Sequence, residues 1–147
     1  MNKEDRFYIS QALVQAEQSK CISKKVGCVI AKDGVLKSSG FNATAFGCIS
    51  CEEAFANNLF TREEHHEWSL MNEIHAEMNA LAAASKRNYS VYGATLYSTL
   101  EPCDNCLKSI VASGIKRIVY IESYKRKDSI SLYRNCKLIK IEKYENL

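Results

Sequence analysis

No run of apolar residues in this sequence is long enough to cross a bilayer. The opening residues, Met1-Asn2-Lys3-Glu4-Asp5-Arg6, are charged and have no apolar stretch behind them, so no secretory leader is expected and a cytoplasmic location is. Internal repeats, low-complexity segments and linkers are also missing. The 147 residues are therefore expected to form one domain, 1–147, large enough for a real core. Charge of either sign is not in excess: the formal net charge is +3, which suits an anionic ligand without demanding nucleic acid. Hydrophobic residues at 46% and charged residues at 25% fit a soluble globular chain. There are only three histidines, whereas cysteine is plentiful. Seven is an odd number, and in a reducing compartment such residues serve as thiols and metal ligands more readily than as disulfides.

Apolar positions Phe7, Ile9, Leu13, Val14 and Ala16 predict an amphipathic helix over 5–19. Two strand-like runs, 26–32 and 35–41, flank Asp33-Gly34 and predict a hairpin. The stretch 40–61 reads as irregular and 61–69 as charged, together a functional loop or insertion. A buried, alanine-rich helix is expected over 73–85, a strand over 94–99, and a helix over 103–113 opened by the only proline, Pro102, and closed by Gly114. A strand over 117–122, a short helix over 129–135 and an edge strand over 137–144 complete the series. Strands alternating with helices predict an α/β sandwich around a mixed sheet.

Two short stretches carry chemistry. His75 is followed two residues later by Glu77, and Pro102-Cys103-Asp104-Asn105-Cys106 stands downstream. One nitrogen and two sulfurs can hold zinc and leave a fourth position open, as in a catalytic site. Helical residues two apart face different ways, so His75 is the ligand and Glu77 a free carboxylate. Cys103 and Cys106, three apart at a helix start, share a face where the helix dipole favours thiolates. Zinc gives hydroxide near neutral pH, and a neighbouring glutamate can carry a proton to a leaving nitrogen. His-x-Glu followed by Pro-Cys-x-x-Cys is the signature of zinc deaminases. Either half alone is commonplace; a lone Cys-x-x-Cys is often a structural or redox pair.

With these residues in place, the chain resembles the deoxycytidylate (dCMP) deaminases of the cytidine deaminase superfamily, from about Arg6 to Leu138. Trp68-Ser69 with Asn72-Glu73-Ile74-His75-Ala76-Glu77-Met78-Asn79-Ala80 is the specific match; Thr99-Leu100-Glu101-Pro102-Cys103 and Ser113-Gly114-Ile115-Lys116-Arg117-Ile118-Val119-Tyr120 support it. The resemblance implies a three-layer α/β/α sandwich with a five-stranded mixed sheet, usually in a homohexamer. It implies conversion of dCMP and water to dUMP and ammonia, which supplies dUMP for thymidylate synthesis. In that role His75, Cys103 and Cys106 would hold zinc and Glu77 would move protons. Asn42 would lie near the sugar, the backbone near Thr99 and Leu100 by the cytosine, and Tyr124 by the substrate.

Some phage-type members hold a second, structural zinc. Cys21, Cys51 and His65 match its ligands, Glu73 offers a fourth, and Cys48 and His66 are the rivals. Cys28 and Cys136 read as ordinary buried thiols. Regulated members bind dCTP with Mg2+ as activator and dTTP as inhibitor. Their glycine- and proline-containing loop is replaced here by Gly40-Phe41-Asn42-Ala43-Thr44-Ala45, and Ala83 and Lys86 stand where an aromatic residue and an arginine are expected, so control by dCTP and dTTP with Mg2+ is left open by the resemblance. Cations for a 5′-phosphate are expected among Lys24, Lys25, Lys125, Arg126 and Lys127, although charge runs are usually solvated faces. A deaminase of polynucleotide cytosine or tRNA adenosine would need a basic groove interleaved with aromatics. The modest charge and the match over 68–80 argue against it. A zinc scaffold without catalysis would leave Glu77 dispensable.

Overall fold

A computed structural model describes residues 2–124 and 136–141. The helix expected over 129–135, and Lys125, Arg126 and Lys127, lie outside the described residues. The described elements run α1 (Lys3–Glu17), β1 (Gly27–Lys32), β2 (Val35–Phe41), α2 (Cys51–Ala56), α3 (His65–Asn72), α4 (Ala76–Lys86), β3 (Thr95–Leu100), α5 (Asp104–Ala112), β4 (Arg117–Glu122) and β5 (Lys137–Lys140).

The hairpin forms where Asp33-Gly34 predicts it. Both residues take positive φ, 52° and 76°, as a two-residue turn with the strands' own twist requires. β1 pairs antiparallel with β2 and with β3; β3, β4 and β5 run parallel. The order β2-β1-β3-β4-β5 makes the expected five-stranded mixed sheet. Alternation along the strands divides the core. Val29, Ala31, Tyr97 and Val119 face Tyr8 and Ile9 of α1. Cys28, Ile30, Leu96 and Ile118 face the opposite way, toward Ala76 and Ala80 of α4 and Leu107 and Ile110 of α5. These are the three layers. Each fully buried Leu or Ile contributes about 1.5–3 kcal/mol of hydrophobic stabilisation.

α4 lies directly on β2. A Cβ built on Gly40 would stand 2.6 Å from Ala76 O and 2.6 Å from Ala80 N, all backbone, so only glycine permits this approach. The contact fixes the start of α4, where His75 and Glu77 sit. Under α1, Asp5 accepts hydrogen bonds from Tyr97 Oη (2.8 Å) and from Arg117 Nη1 and Nη2 (3.2 and 2.9 Å), joining the first helix to two strands.

The region expected to be irregular contains two helices. α2 is capped by Ser50, whose hydroxyl accepts from the Glu53 N–H. α3 follows a turn in which Thr61 Oγ1 accepts from Glu64 N–H and Glu64 Oε1 accepts from Thr61 N–H. α2 has only six residues and α3 buries none, so neither shows the apolar stripe that marks a helix in sequence. A third small core of Cys21, Cys51, Ala54 and Phe60 holds them, with Phe60 stacked on Trp68 at 4.5 Å. The helix expected from residue 73 begins at Ala76, because 73–75 is extended. Among the described residues no helix is long and apolar enough to cross a membrane.

Candidate active site

The parallel strands end at one edge of the sheet, the usual place for a ligand crevice in α/β folds. β3 leads through Glu101 and the buried Pro102 to Cys103, which caps α5 with extended backbone. His75 caps α4 in the same way. Two helix N-termini thus meet, and they bring three donors together. His75 Nδ1 is 3.2 Å from Cys106 Sγ and 3.6 Å from Cys103 Sγ, and all three donor atoms lie within 4.8 Å of one another. Zinc bonds of about 2.0–2.3 Å in a tetrahedron give donor–donor edges of roughly 3.3–3.8 Å, so the spacing fits zinc. The donor chemistry fits as well. Hydrogen bonding from Cys106, then from His75, holds the Cys103 thiol down to about 4, while the bond to Cys103 and burial push Cys106 up. The bond to Cys103 likewise raises His75 against the effect of burial. A Cys103 thiolate beside an imidazole, with the Cys106 thiol holding its proton until a cation displaces it, is a donor set that fits zinc.

Glu77 stands in the first turn of α4 and is 3% exposed. It is not among the converging donors. Its Oε1 lies 3.4 Å from the Ser98 hydroxyl, which also donates to Leu100 O at 2.7 Å. Burial raises its carboxyl above the ordinary glutamate value, with lesser opposition from Cys106 and His75. A carboxyl shifted in this direction is suited to taking and returning a proton near neutral pH.

His75, Glu77 and Cys103 line a cavity of about 370 Å³. Its wall includes Asn42, Leu100 and Tyr124, three of the four residues expected near substrate. Both polar atoms of the Asn42 side chain already serve the backbone: Oδ1 accepts from Val26 N–H (2.8 Å) and Nδ2 donates to Lys24 O (2.7 Å). Asn42 therefore shapes the 24–26 wall. Thr99 is not in the lining; its hydroxyl turns toward β1 and accepts from Gly27 N–H at 3.1 Å. Lys24 lines the cavity, paired with Glu122 at 2.6 Å, and Lys25 does not. Tyr124 is held by its N–H donating to Glu101 Oε1 (3.0 Å). Arg62, His66 and Ser69 also line the cavity, and sequence reasoning had not placed any of them beside substrate. The usable signal was Thr61-x-x-Glu64, a helix-start pattern that orders this stretch.

A second group converges on the far wall of the cavity. Cys21, Cys51, His65 and Glu73 bring donor atoms within 4.8 Å of one another. His65 Nε2 is 3.7 Å from Cys21 Sγ, 3.4 Å from Cys51 Sγ and 3.4 Å from Glu73 Oε1. These again match tetrahedral edges of roughly 3.3–3.8 Å. Glu73 Oε2 is buried without a hydrogen-bond partner among the described residues, an expensive arrangement for a carboxylate unless a cation faces it. Cys48 and His66 are exposed and stand outside the group. Glu73, Ile74 and His75 form an extended bridge between the two donor groups, tied down by reciprocal backbone bonds of Ile74 with Ala43 (2.8 and 3.1 Å). Ala43 takes ordinary negative φ there, so the loop no longer needs glycine at that position.

Known proteins are similar to this chain. The deoxycytidylate deaminase of Enterobacteria phage T2 is 37% identical over 144 residues, covering 77% of this chain and 77% of its own. That of Enterobacteria phage T4 is 36% identical, covering 77% and 75%. The crystal structure of the dCMP deaminase from cyanophage S-TIM5, in complex with dCMP and dUMP, superposes with a TM-score of 0.77 at 28% identity, covering 96% of this chain and 99% of the other. The model of the cytidine and deoxycytidylate deaminase zinc-binding region matches residues 2–122, a span that holds both donor groups and Glu77, and the chain belongs to that family.

Proposed function

We propose that this chain, acting as one catalytic domain over 1–147, hydrolyses dCMP to dUMP and ammonia. The observation that carries the reading is the convergence of His75, Cys103 and Cys106 beside a buried Glu77 at the base of a cavity. The phage relatives and the dCMP and dUMP of the cyanophage structure support the choice of nucleotide. His75, Cys103 and Cys106 hold zinc. When bound, zinc supplies the Lewis acidity that lowers the pKa of a water to about 7. Glu77 accepts the proton of the attacking water and delivers it to the departing exocyclic nitrogen of C4. Oxygen becomes bonded to C4, the C4–N bond breaks, and ammonia leaves. The apolar wall at Leu100 and Val26 keeps bulk water from the carbon.

The Cys21, Cys51, His65 and Glu73 group holds a second, structural zinc. Four protein donors close such a site and add folding free energy to the α2–α3 region. The chain assembles as a homohexamer, the arrangement its family resemblance implies. Ammonia release should be measured with dCMP, CMP, deoxycytidine and a cytosine-containing oligonucleotide. dCMP is expected to react fastest, and dCTP or dTTP with Mg2+ to leave the rate–substrate curve unchanged. The proposal is refuted if dCMP yields no ammonia.

A further inference from the structure

The substrate reading leaves the 5′-phosphate without an assigned partner. Two strongly basic side chains among the described residues line the cavity, Lys24 and Arg62. Lys24 is engaged with Glu122 at 2.6 Å. Arg62 has no carboxylate within ion-pair distance among the described residues. Its guanidinium lies over the Phe55 ring, 5.4 Å from the centroid. Stacking of this kind uses the flat face of the group and leaves its edge N–H donors for another ligand.

The local structure holds Arg62 in that place. Thr61 and Glu64 on either side are locked by their reciprocal hydrogen bonds. Phe55 packs against Phe60 at 5.6 Å, and Phe60 against the ring of His65 at 5.5 Å. Arg62 is exposed, and stacking on Phe55 orients its guanidinium in part before any ligand arrives, which lowers the entropy lost on binding. A phosphate monoester carries about −1.5 to −2 charge near pH 7 and three acceptor oxygens. A guanidinium edge matches two of those oxygens at once.

We propose that Arg62 is the residue that reads the 5′-phosphate and so makes the enzyme prefer a nucleotide over a nucleoside. This inference rests on the dCMP reading above and adds the specificity-determining residue. In this account the α2–α3 segment carries the arginine to the cavity, and the His65 donor group anchors its far end. Lys24 shares the field but is held by Glu122.

The test compares the zinc-loaded parent with Arg62→Gln and Arg62→Lys, using dCMP and deoxycytidine as substrates and dUMP as product inhibitor. Loss of a charge-assisted bidentate contact should lower kcat/KM for dCMP on the order of 10- to 100-fold in Arg62→Gln, mainly through KM. The dUMP inhibition constant should rise by the same factor, and kcat/KM for deoxycytidine should stay within about twofold. Arg62→Lys should recover part of the loss, since it keeps charge but not the fork. Zinc content shows that the variants are folded; if Arg62→Gln loses zinc, Arg62→Lys decides, with a loss of roughly 3- to 10-fold confined to dCMP and dUMP. The inference is overturned if the preference for dCMP over deoxycytidine survives in Arg62→Gln, or if both substrates lose equally. A parent that deaminates neither substrate overturns the dCMP reading itself, a result separate from any Arg62 effect.

Discussion

Replacing Glu77 with glutamine is the sharpest perturbation of the proposed chemistry. The change keeps the shape and removes the ability to carry a proton. General acid–base groups contribute about 10²–10⁴ in rate, which at about 1.36 kcal/mol per decade is roughly 2.7–5.5 kcal/mol of barrier. The structure favours the upper half of that range. Glu77 is 3% exposed, so solvent cannot easily take its place. The other cavity carboxylates are committed: Glu73 belongs to the second donor group, and Glu101 accepts from Tyr124 N–H. Ser98, whose Oγ lies 3.4 Å from Glu77 Oε1, donates to Leu100 O. We therefore expect kcat for ammonia release from dCMP to fall about 10³- to 10⁴-fold. Because Glu77 is not one of the converging donors, zinc content should not change. The assay pairs steady-state ammonia release with metal analysis of the same samples. A variant within tenfold of the parent, or one whose rate falls only in proportion to lost zinc, would refute the assigned role.

The zinc content of the parent is expected to be two per chain, falling to one in Cys51→Ala with a lower melting temperature; one zinc in the parent would end the structural-site proposal. Asp5→Asn removes the carboxylate that Arg117 and Tyr97 share. Arg117 is 32% exposed, so the cost should be about 2 kcal/mol rather than that of a fully buried pair, or roughly 4–8 °C in Tm. Burial raises the Asp5 carboxyl, but the bonds from Arg117 and Tyr97 outweigh it and hold it below the ordinary 3.8. A depressed carboxyl stabilises the fold fully above its unfolded value and loses that effect as pH falls through its folded value. The gap in stability between parent and variant should therefore be constant above about pH 5 and shrink below about pH 4 in parallel melts. A gap that stays unchanged down the acid range would show that the Asp5 charge contributes nothing.

Much of the site could be read in the sequence because its parts are local. His75 with Glu77, and Cys103 with Cys106, are fixed by spacing at helix starts, and each pair needs only its own turn of chain. The hairpin was equally legible, since Asp33 and Gly34 state their own backbone geometry. What could not be read depends on distant contacts. The placement of β1 between β2 and β3 is decided by packing on both faces of the sheet, not by any feature of β1 alone. α3 buries no residue and so lacks the stripe that reveals most helices. Its start was nonetheless written in Thr61 and Glu64, as that of α2 was in Ser50 and Glu53. Arg62 looked like one charge in a charged run, and only the ring of Phe55 beneath it shows where it points. Asn42 is expected at the sugar by resemblance; it lines the cavity, and its amide is oriented there by the backbone of Lys24 and Val26, contacts that no local pattern announces.

The extended bridge from Glu73 to His75 has a consequence for how such a chain can change. Side chains along extended backbone alternate sides, so Glu73 and His75 share a side and Ile74 takes the other. Parity, not only distance, is set by this stretch. One residue inserted or deleted here would turn His75 away from the two cysteines, as a one-residue slip turns every side chain of a strand. Two residues would restore the side but move the histidine by about 6.6 Å. Length is therefore frozen across these three positions, while the exposed stretch 45–49 before α2, outside both donor groups, is free to grow or shrink. Duplication and drift can remodel the rim of this enzyme and still leave a three-residue ruler at its centre.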